Sequence, residues 1–239
     1  MNRRAHLASH AVVALLPNAV KVVVYRRLFG FRIGRDVRIG LSLLAARGCE
    51  IGDATVIGHG NAVIDVGRLV LGDHVRIGAL NLVRGGDEVR IGRWSELLRR
   101  NELNSIVDPD PVTPTDPRLL IGPGCVITDG HRLDFTDRIE LGERVIVGGR
   151  GSSLWTHNRQ RTAPIRVGPR TYIGSESRVA PGSSVPARSI VALGSVVSGE
   201  LSGDESLIGG VPAKVLRPLD DHDRYLVDRP TRRDAPDDL

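Results

Sequence analysis

IRVGPRTYIGSESRVAPGSSVPARSIVALGSVV, residues 165–197, returns an aliphatic side chain every six positions, at Val167, Ile173, Val179, Val185, Val191 and Val197. A return of six fits neither the 3.6-residue period of a helix nor the two-residue alternation of a long strand. It fits short straight strands joined by tight corners, with the following Gly or Ala serving crowded or positive-φ corner positions. Three such steps close one triangular turn of eighteen residues, and the aliphatic side chains then stack turn upon turn in the interior.

Upstream, aliphatic-x-aliphatic-Gly, four residues and a second aliphatic recur at FRIGRDVRIG (31–40), LVLGDHVRIG (69–78), VRIGRWSELL (89–98), LLIGPGCVIT (119–128) and IELGERVIVG (139–148). The units start at Ile33, Ile51, Leu71, Ile91, Ile121, Leu141 and Val167, with a Gly-less continuation at Val185, so the spacings are 18, 20, 20, 30, 20, 26 and 18 residues. The pattern predicts an all-β solenoid of about eight triangular coils. The coil from Ile91 exceeds eighteen by 12 residues, within which lies NSIVDPDPVTPTDP (104–117), and the coil from Leu141 by 8, within which lies SSLWTHNRQRTAP (152–164). Regular coils are scaffold, and chemistry is expected on the irregular ones, since loops on a rigid frame carry function.

Composition agrees. The 239 residues are 41% hydrophobic but hold only three Phe, two Trp and three Tyr, so the core must be built from Val, Ile, Leu and Ala. Cys49 and Cys125 form no C-x-x-C pair and no disulfide scaffold, which points to a reducing, cytoplasmic setting. Of 33 basic residues only Lys21 and Lys214 are lysines. The arginines are spread over outward positions with few aromatics to stack on bases, which argues against a nucleic-acid partner. Their charge suits a phosphorylated small molecule or an anionic membrane surface.

Three segments are expected: a helical segment 1–30, the solenoid 31–210 and a C-terminal extension 211–239. Ala5 to Phe29 reads as a helix broken at Pro17, with Leu16, Val20, Val23 and Leu28 on one face and Lys21 and Arg26 off it. Pro17 suits a first helical turn and Gly30 a C′ position. Such a helix caps the open end of the stack. It also has the make-up of a surface-lying membrane helix, residues 1–29, with Arg3, Arg4, Arg26 and Arg27 toward anionic headgroups at the inner membrane face. Pro17, Asn18 and Lys21 interrupt it too early for a span, and a cleaved signal fits poorly. After Leu219 the charged stretch predicts a brief helix and a frayed tail.

These hexapeptides, together with IGGVPAKVLRPL (208–219), resemble the left-handed parallel β-helix acyltransferases of the hexapeptide-repeat type over roughly Phe31 to Leu219. The resemblance implies left-handed coiling, a homotrimer, and acetyl transfer from acetyl-CoA to a hydroxyl of a sugar or polysaccharide precursor. Similar sugar acetyltransferases carry their catalytic histidine in a Thr-His segment, which here is His157; a neutral imidazole can take a proton from an alcohol. The backbone N–H of Ser175, in YIGSES, is implied as the oxyanion donor. Asp129 and His131, in ITDGHRLD, are candidates to orient the imidazole or bind substrate, and Trp155 and Asn158 flank the histidine as further substrate contacts. Coenzyme A is implied to run past Leu193, Gly194 and Ser198, with Lys214 and Arg217 on its phosphates. Ser198-Gly199 departs from the Thr-Lys of many relatives, so Arg178 or Arg188 is a candidate replacement.

Rivals meet obstacles in the sequence. A γ-type carbonic anhydrase needs zinc-binding histidines five apart, and no H-x-x-x-x-H occurs, so no metal is expected. Thirty leading residues cannot hold a nucleotidyltransferase domain, and no G-x-S-x-G elbow marks a hydrolase. An amino-sugar N-acetyltransferase, a longer acyl donor and a non-catalytic scaffold stay open.

Overall fold

The repeat starts read from the sequence fall in one column. In a computed structural model, which describes residues 3–106, 114–231 and 236, Ile33 pairs with Ile51, Ile51 with Leu71, Leu71 with Ile91, Ile91 with Ile121, Ile121 with Leu141, Leu141 with Val167 and Val167 with Val185. Each of eight coils gives one short strand to each of three parallel sheets, called A, B and C in chain order; sheet B gains two further strands at the C-terminal end. The sheets meet at A–B, B–C and C–A corners. All six aliphatic positions of residues 165–197 point inward and are buried. Coils stacked at a strand spacing of about 4.8 Å leave no room above many inward-turning corners; a Cβ on Gly78 would run into the Leu98 carbonyl of the next coil.

At the A–B corner the repeat glycines serve the crowded position, as expected, since a Cβ on Gly34, Gly52 or Gly92 would strike the next coil, whereas the left-handed position two residues on takes glycine at Gly124 and other residues in the remaining coils. Asp36, Ala54, His74, Trp94, Arg144, Arg170 and Arg188 all hold left-handed φ of 50–60° there. Coil-to-coil hydrogen bonds impose it: Ala54 N–H donates to Arg35 O at 2.8 Å and His74 N–H to Asp53 O at 2.8 Å.

The B–C corner holds a buried polar ladder. Ser42, Asn61, Asn81, Asn101, His131 and Ser152 succeed one another, coil by coil. Asn81 Oδ1 accepts both N–H and side-chain amide of Asn101, while its own amide donates to Asn61 Oδ1 and Leu98 O, all within 3.1 Å. Each rung satisfies backbone groups that the sharp corner leaves unpaired.

Helices α1 (Arg3–Ala14) and α2 (Asn18–Leu28) cap the first coil. The expected apolar face is wrong. Val20, Val23 and Leu28 are exposed, whereas Lys21 is 1% exposed. The open end of a parallel solenoid is a row of unpaired carbonyls, and α2 turns donors toward it. Asn18 donates to Val37 O, Lys21 Nζ to Ile39 O and Gly40 O, and Arg26 to Ile33 O and Gly34 O. Burial pushes the Lys21 pKa down. No helix among the described residues is long and apolar enough to cross a membrane.

At the other end, Ser206–Gly210 joins sheet B and Ala213–Pro218 pairs with it antiparallel, carrying the sheet past the expected boundary at 210. Helix α3 (Asp221–Asp228) follows, its N-terminus closed by a capping box of Asp220 and Asp223. The chain then descends the A–B corner: Asp228 pairs with Arg188 and Arg170, and Thr231 Oγ1 donates to Gly124 O. Residues 107–113 of the longer insertion and most of the expected frayed tail lie outside the described residues. Cys49 and Cys125 are free and buried, and burial pushes both thiols up to about 12.

Candidate functional site

The sequence-derived site residues divide between two corners of the prism. At the C–A corner, strand Ser153–Trp155 ends and the eight-residue excess leaves as a hairpin. Ala163 N–H donates to Thr156 O at 2.9 Å and Asn158 N–H to Arg161 O at 3.0 Å, with His157 bridged to Thr162. Thr156 is buried and pinned; its Oγ1 donates to Asp134 O at 2.8 Å and accepts from Asp137 N–H at 2.9 Å. His157 is therefore held half-buried on a fixed base. Asn158, expected on substrate, builds the turn: its Oδ1 accepts from Gln160 and Arg161 N–H. Trp155 carries the Arg132 guanidinium 4.6 Å from its ring centroid. Ser198 is exposed at the same corner, two coils on.

The B–C corner carries the remainder. Ser175 and Leu193 occupy equivalent positions in the seventh and eighth coils, and Gly194 N–H donates to Ser175 O at 2.9 Å. Among the described residues, neither the Ser175 nor the Leu193 backbone N–H donates a hydrogen bond. Two adjacent, outward N–H groups on a rigid edge are suited to a carbonyl oxygen that gains charge. His157 and Ser175 are not brought together within one chain. A strand of sheet C lies between their corners, roughly 10 Å at strand rise.

His131, expected on substrate, is turned into the corner and closed off from solvent. It is 1% exposed and forms a rung of the corner ladder: Nδ1 accepts from Ser152 N–H at 3.1 Å and Nε2 lies 2.9 Å from Thr128 Oγ1. The Thr128 hydroxyl can donate to Val147 O or Gly149 O, so the ring is the neutral Nε2–H tautomer. Asp129 holds Arg99, accepting its N–H at 3.2 Å and its guanidinium at 2.9 Å. Within one chain neither residue reaches His157, since both lie at the other corner. The polar residue beneath the His157 turn is Asp134, 3% exposed, which the sequence reading missed. Its signal is the D-F-T-D run at 134–137, where three polar side chains crowd a single corner.

The ladder makes stability pH-dependent. Burial lowers the His131 pKa to about 4. The folded pKa lies below the unfolded value of about 6.5. Between these values the unfolded chain binds a proton that the folded chain refuses, so the ring's contribution is whole above pH 6.5, falls toward pH 4 and levels off below it. His131→Asn, which repeats the Asn101 rung, is expected to flatten that slope in chemical denaturation series. An unchanged slope would refute the assignment.

The implied phosphate residues fare unequally. Lys214 is exposed, but Arg217 is already paired with Asp223 at 2.7 Å and Asp220 at 3.6 Å. The suggested replacements are engaged elsewhere: Arg178 bonds the carbonyls of Gly151, Glu176 and Ser177, and Arg188 sits at the A–B corner on Glu205 and Asp228.

No protein-family model matches the chain. It is 25% identical over 175 residues to the bifunctional protein GlmU of Listeria welshimeri, covering 72% of this chain and 36% of that protein. It is 26% identical over 200 residues to a probable acetyltransferase of Mycobacterium tuberculosis, covering 82% of this chain and 57% of the relative. The chain thus spans about a third to somewhat over half the length of these relatives. Among solved structures, a UDP-N-acetylglucosamine acyltransferase from Campylobacter jejuni superposes with a TM-score of 0.60 at 20% identity, over 82% of this chain and 77% of that one. The fold is the left-handed parallel β-helix of hexapeptide-repeat acyltransferases.

Proposed function

We propose that the chain is a CoA-dependent acyltransferase, moving an acetyl group from acetyl-CoA to a hydroxyl of a sugar or polysaccharide precursor as a homotrimer. The observation that carries the reading is the pair of unused N–H groups at Ser175 and Leu193 on one corner, with the pinned His157 on the other. Three copies around an axis facing sheet C would set the C–A corner of one chain against the B–C corner of the next, completing a site that a single chain leaves divided.

The chemistry asks little else of the protein, because a thioester is already activated. His157 takes the proton of the acceptor hydroxyl as its oxygen attacks the acetyl carbonyl. The Ser175 N–H of the neighbouring copy donates to the oxyanion. Collapse of the tetrahedral adduct expels the CoA thiolate, which takes the proton back from the imidazolium. The corner edge aligns the two substrates, converting a bimolecular encounter into a positioned one. The acetyltransferase and acyltransferase names of the similar proteins support the reaction class.

Calorimetric titration tests the donor. The double substitution Lys214→Ala with Arg217→Ala is expected to weaken acetyl-CoA by about 1–3 kcal/mol, roughly 5- to 150-fold. Lys214 should supply the larger share, since Arg217 gives up two carboxylates to engage a phosphate. No acetyl-CoA binding by the unaltered protein would favour the scaffold alternative, and unchanged binding by the double variant would remove the phosphate assignment.

A further inference from the structure

Below Ser175 the B–C corner opens into a recess. In successive coils the left-handed corner position is filled by Leu80, Arg100, Gly130, Gly151 and Glu176, with φ of 56–74°. The two glycines interrupt a row of side chains, and a Cβ at Gly130 would meet nothing within 4 Å. The gap is a recess of about 410 Å³, lined by Arg99, Arg100, Asp129 and Arg150 besides the two glycines.

Its charge is unbalanced. Asp129 is occupied by Arg99, while Arg100 and Arg150 have no carboxylate partner among the described residues. Many arginines elsewhere on the prism are matched to carboxylates of adjoining coils, as in Arg68–Glu50, Arg76–Glu96 and Arg166–Glu140. Three guanidinium groups against one carboxylate thus converge where two bare rungs admit a ligand. Planar guanidinium forks match the two oxygens of a carboxylate or phosphate. Asp129 keeps Arg99 oriented, which reduces the side-chain freedom lost on binding.

The recess continues the edge that carries Ser175, on the side away from Leu193, Gly194 and Lys214. A molecule anchored there by its anion lies against the oxyanion corner without crossing the proposed donor track. We infer that the recess binds the carboxylate or phosphate of the acyl acceptor, so that the substrate is an acidic sugar and not a neutral one. The inference rests on the acyl-transfer reading only in calling the bound anion the acceptor.

Titrations of the full-length protein with methyl glucuronide, glucose 1-phosphate and methyl glucoside, each with CoA present, test it. At least one acidic probe is expected to bind 10-fold or more tighter than the neutral one, and the tighter of the two acidic probes identifies carboxylate or phosphate. Arg100→Gln with Arg150→Gln should cost that probe 10-fold or more and leave acetyl-CoA affinity unchanged. Equal binding of neutral and acidic probes, no binding of any, or a matching loss of acetyl-CoA would overturn the recess as an acceptor site. Acidic-sugar binding without acetyl-CoA binding would instead sink the acyl-transfer reading and leave the anion site standing.

Discussion

His157→Ala is expected to lower kcat by at least about 100-fold while acetyl-CoA affinity stays near that of the unaltered protein. The imidazole acts only as the acceptor loses its proton, so its removal raises the barrier by roughly 3 kcal/mol without touching the donor. Thr156, not His157, holds the hairpin to the sheet through Asp134 and Asp137, so the variant should keep a native melting curve. Mixing gives a sharper result. Chains carrying His157→Ala and chains carrying Ser175→Pro, which deletes the corner N–H, should each be inactive alone. Refolded together, they should regain activity, because some sites then draw an intact histidine from one chain and an intact N–H from the other. Full activity in His157→Ala ends the mechanism, and failure of two well-folded variants to complement ends the shared site.

Asn81→Leu should be the most damaging of the conservative-volume changes in the ladder, costing at least about 3 kcal/mol. It leaves Asn101 N–H and Leu98 O buried without partners, and takes a donor from Asn61 Oδ1. Each orphaned buried group costs about 1–3 kcal/mol. For a chain of this length that corresponds to a fall in Tm of about 6–12 °C. Asn81→Ser should cost less, because the hydroxyls at Ser42 and Ser152 already serve as rungs, accepting from Asn61 and Ser177 N–H. A Tm for the leucine variant within 1–2 °C of the unaltered protein, typical of a surface substitution, would mean the ladder contributes little.

The core register was legible because a six-residue return admits a single stacking of aliphatic on aliphatic, and Ile33 to Val185 pair as the spacings imply. The ladder was written in the same spacing: Asn61, Asn81, Asn101 and His131 recur at 20, 20 and 30, in step with the coil starts. His131 was read as chemistry because a polar residue invites a functional role when its buried equivalents one coil away are overlooked. Helix α2 misled for the opposite reason. Apolar patterning assumes an apolar surface to cover, but the end of a parallel stack presents carbonyls, and these select Asn18, Lys21 and Arg26. The place of His157 on an insertion was legible from the coil spacing. Its separation from Ser175 was not, because residue spacing along the chain locates a coil and hides which corner an insertion displaces. The arginine recess went unread since its signal is an absence of side chains at Gly130 and Gly151.

Both ends of the column break the rule by which it grows. The donors of α2 occupy the carbonyls of the first coil, and strand Ala213–Pro218 reverses direction against the last parallel strand of sheet B. A bare coil at either end would template the next chain, as unprotected strand edges do, and successive copies would polymerise head to tail into an open-ended fibre. Each device works against end-to-end growth, and the homotrimer proposed above would use the flanks instead.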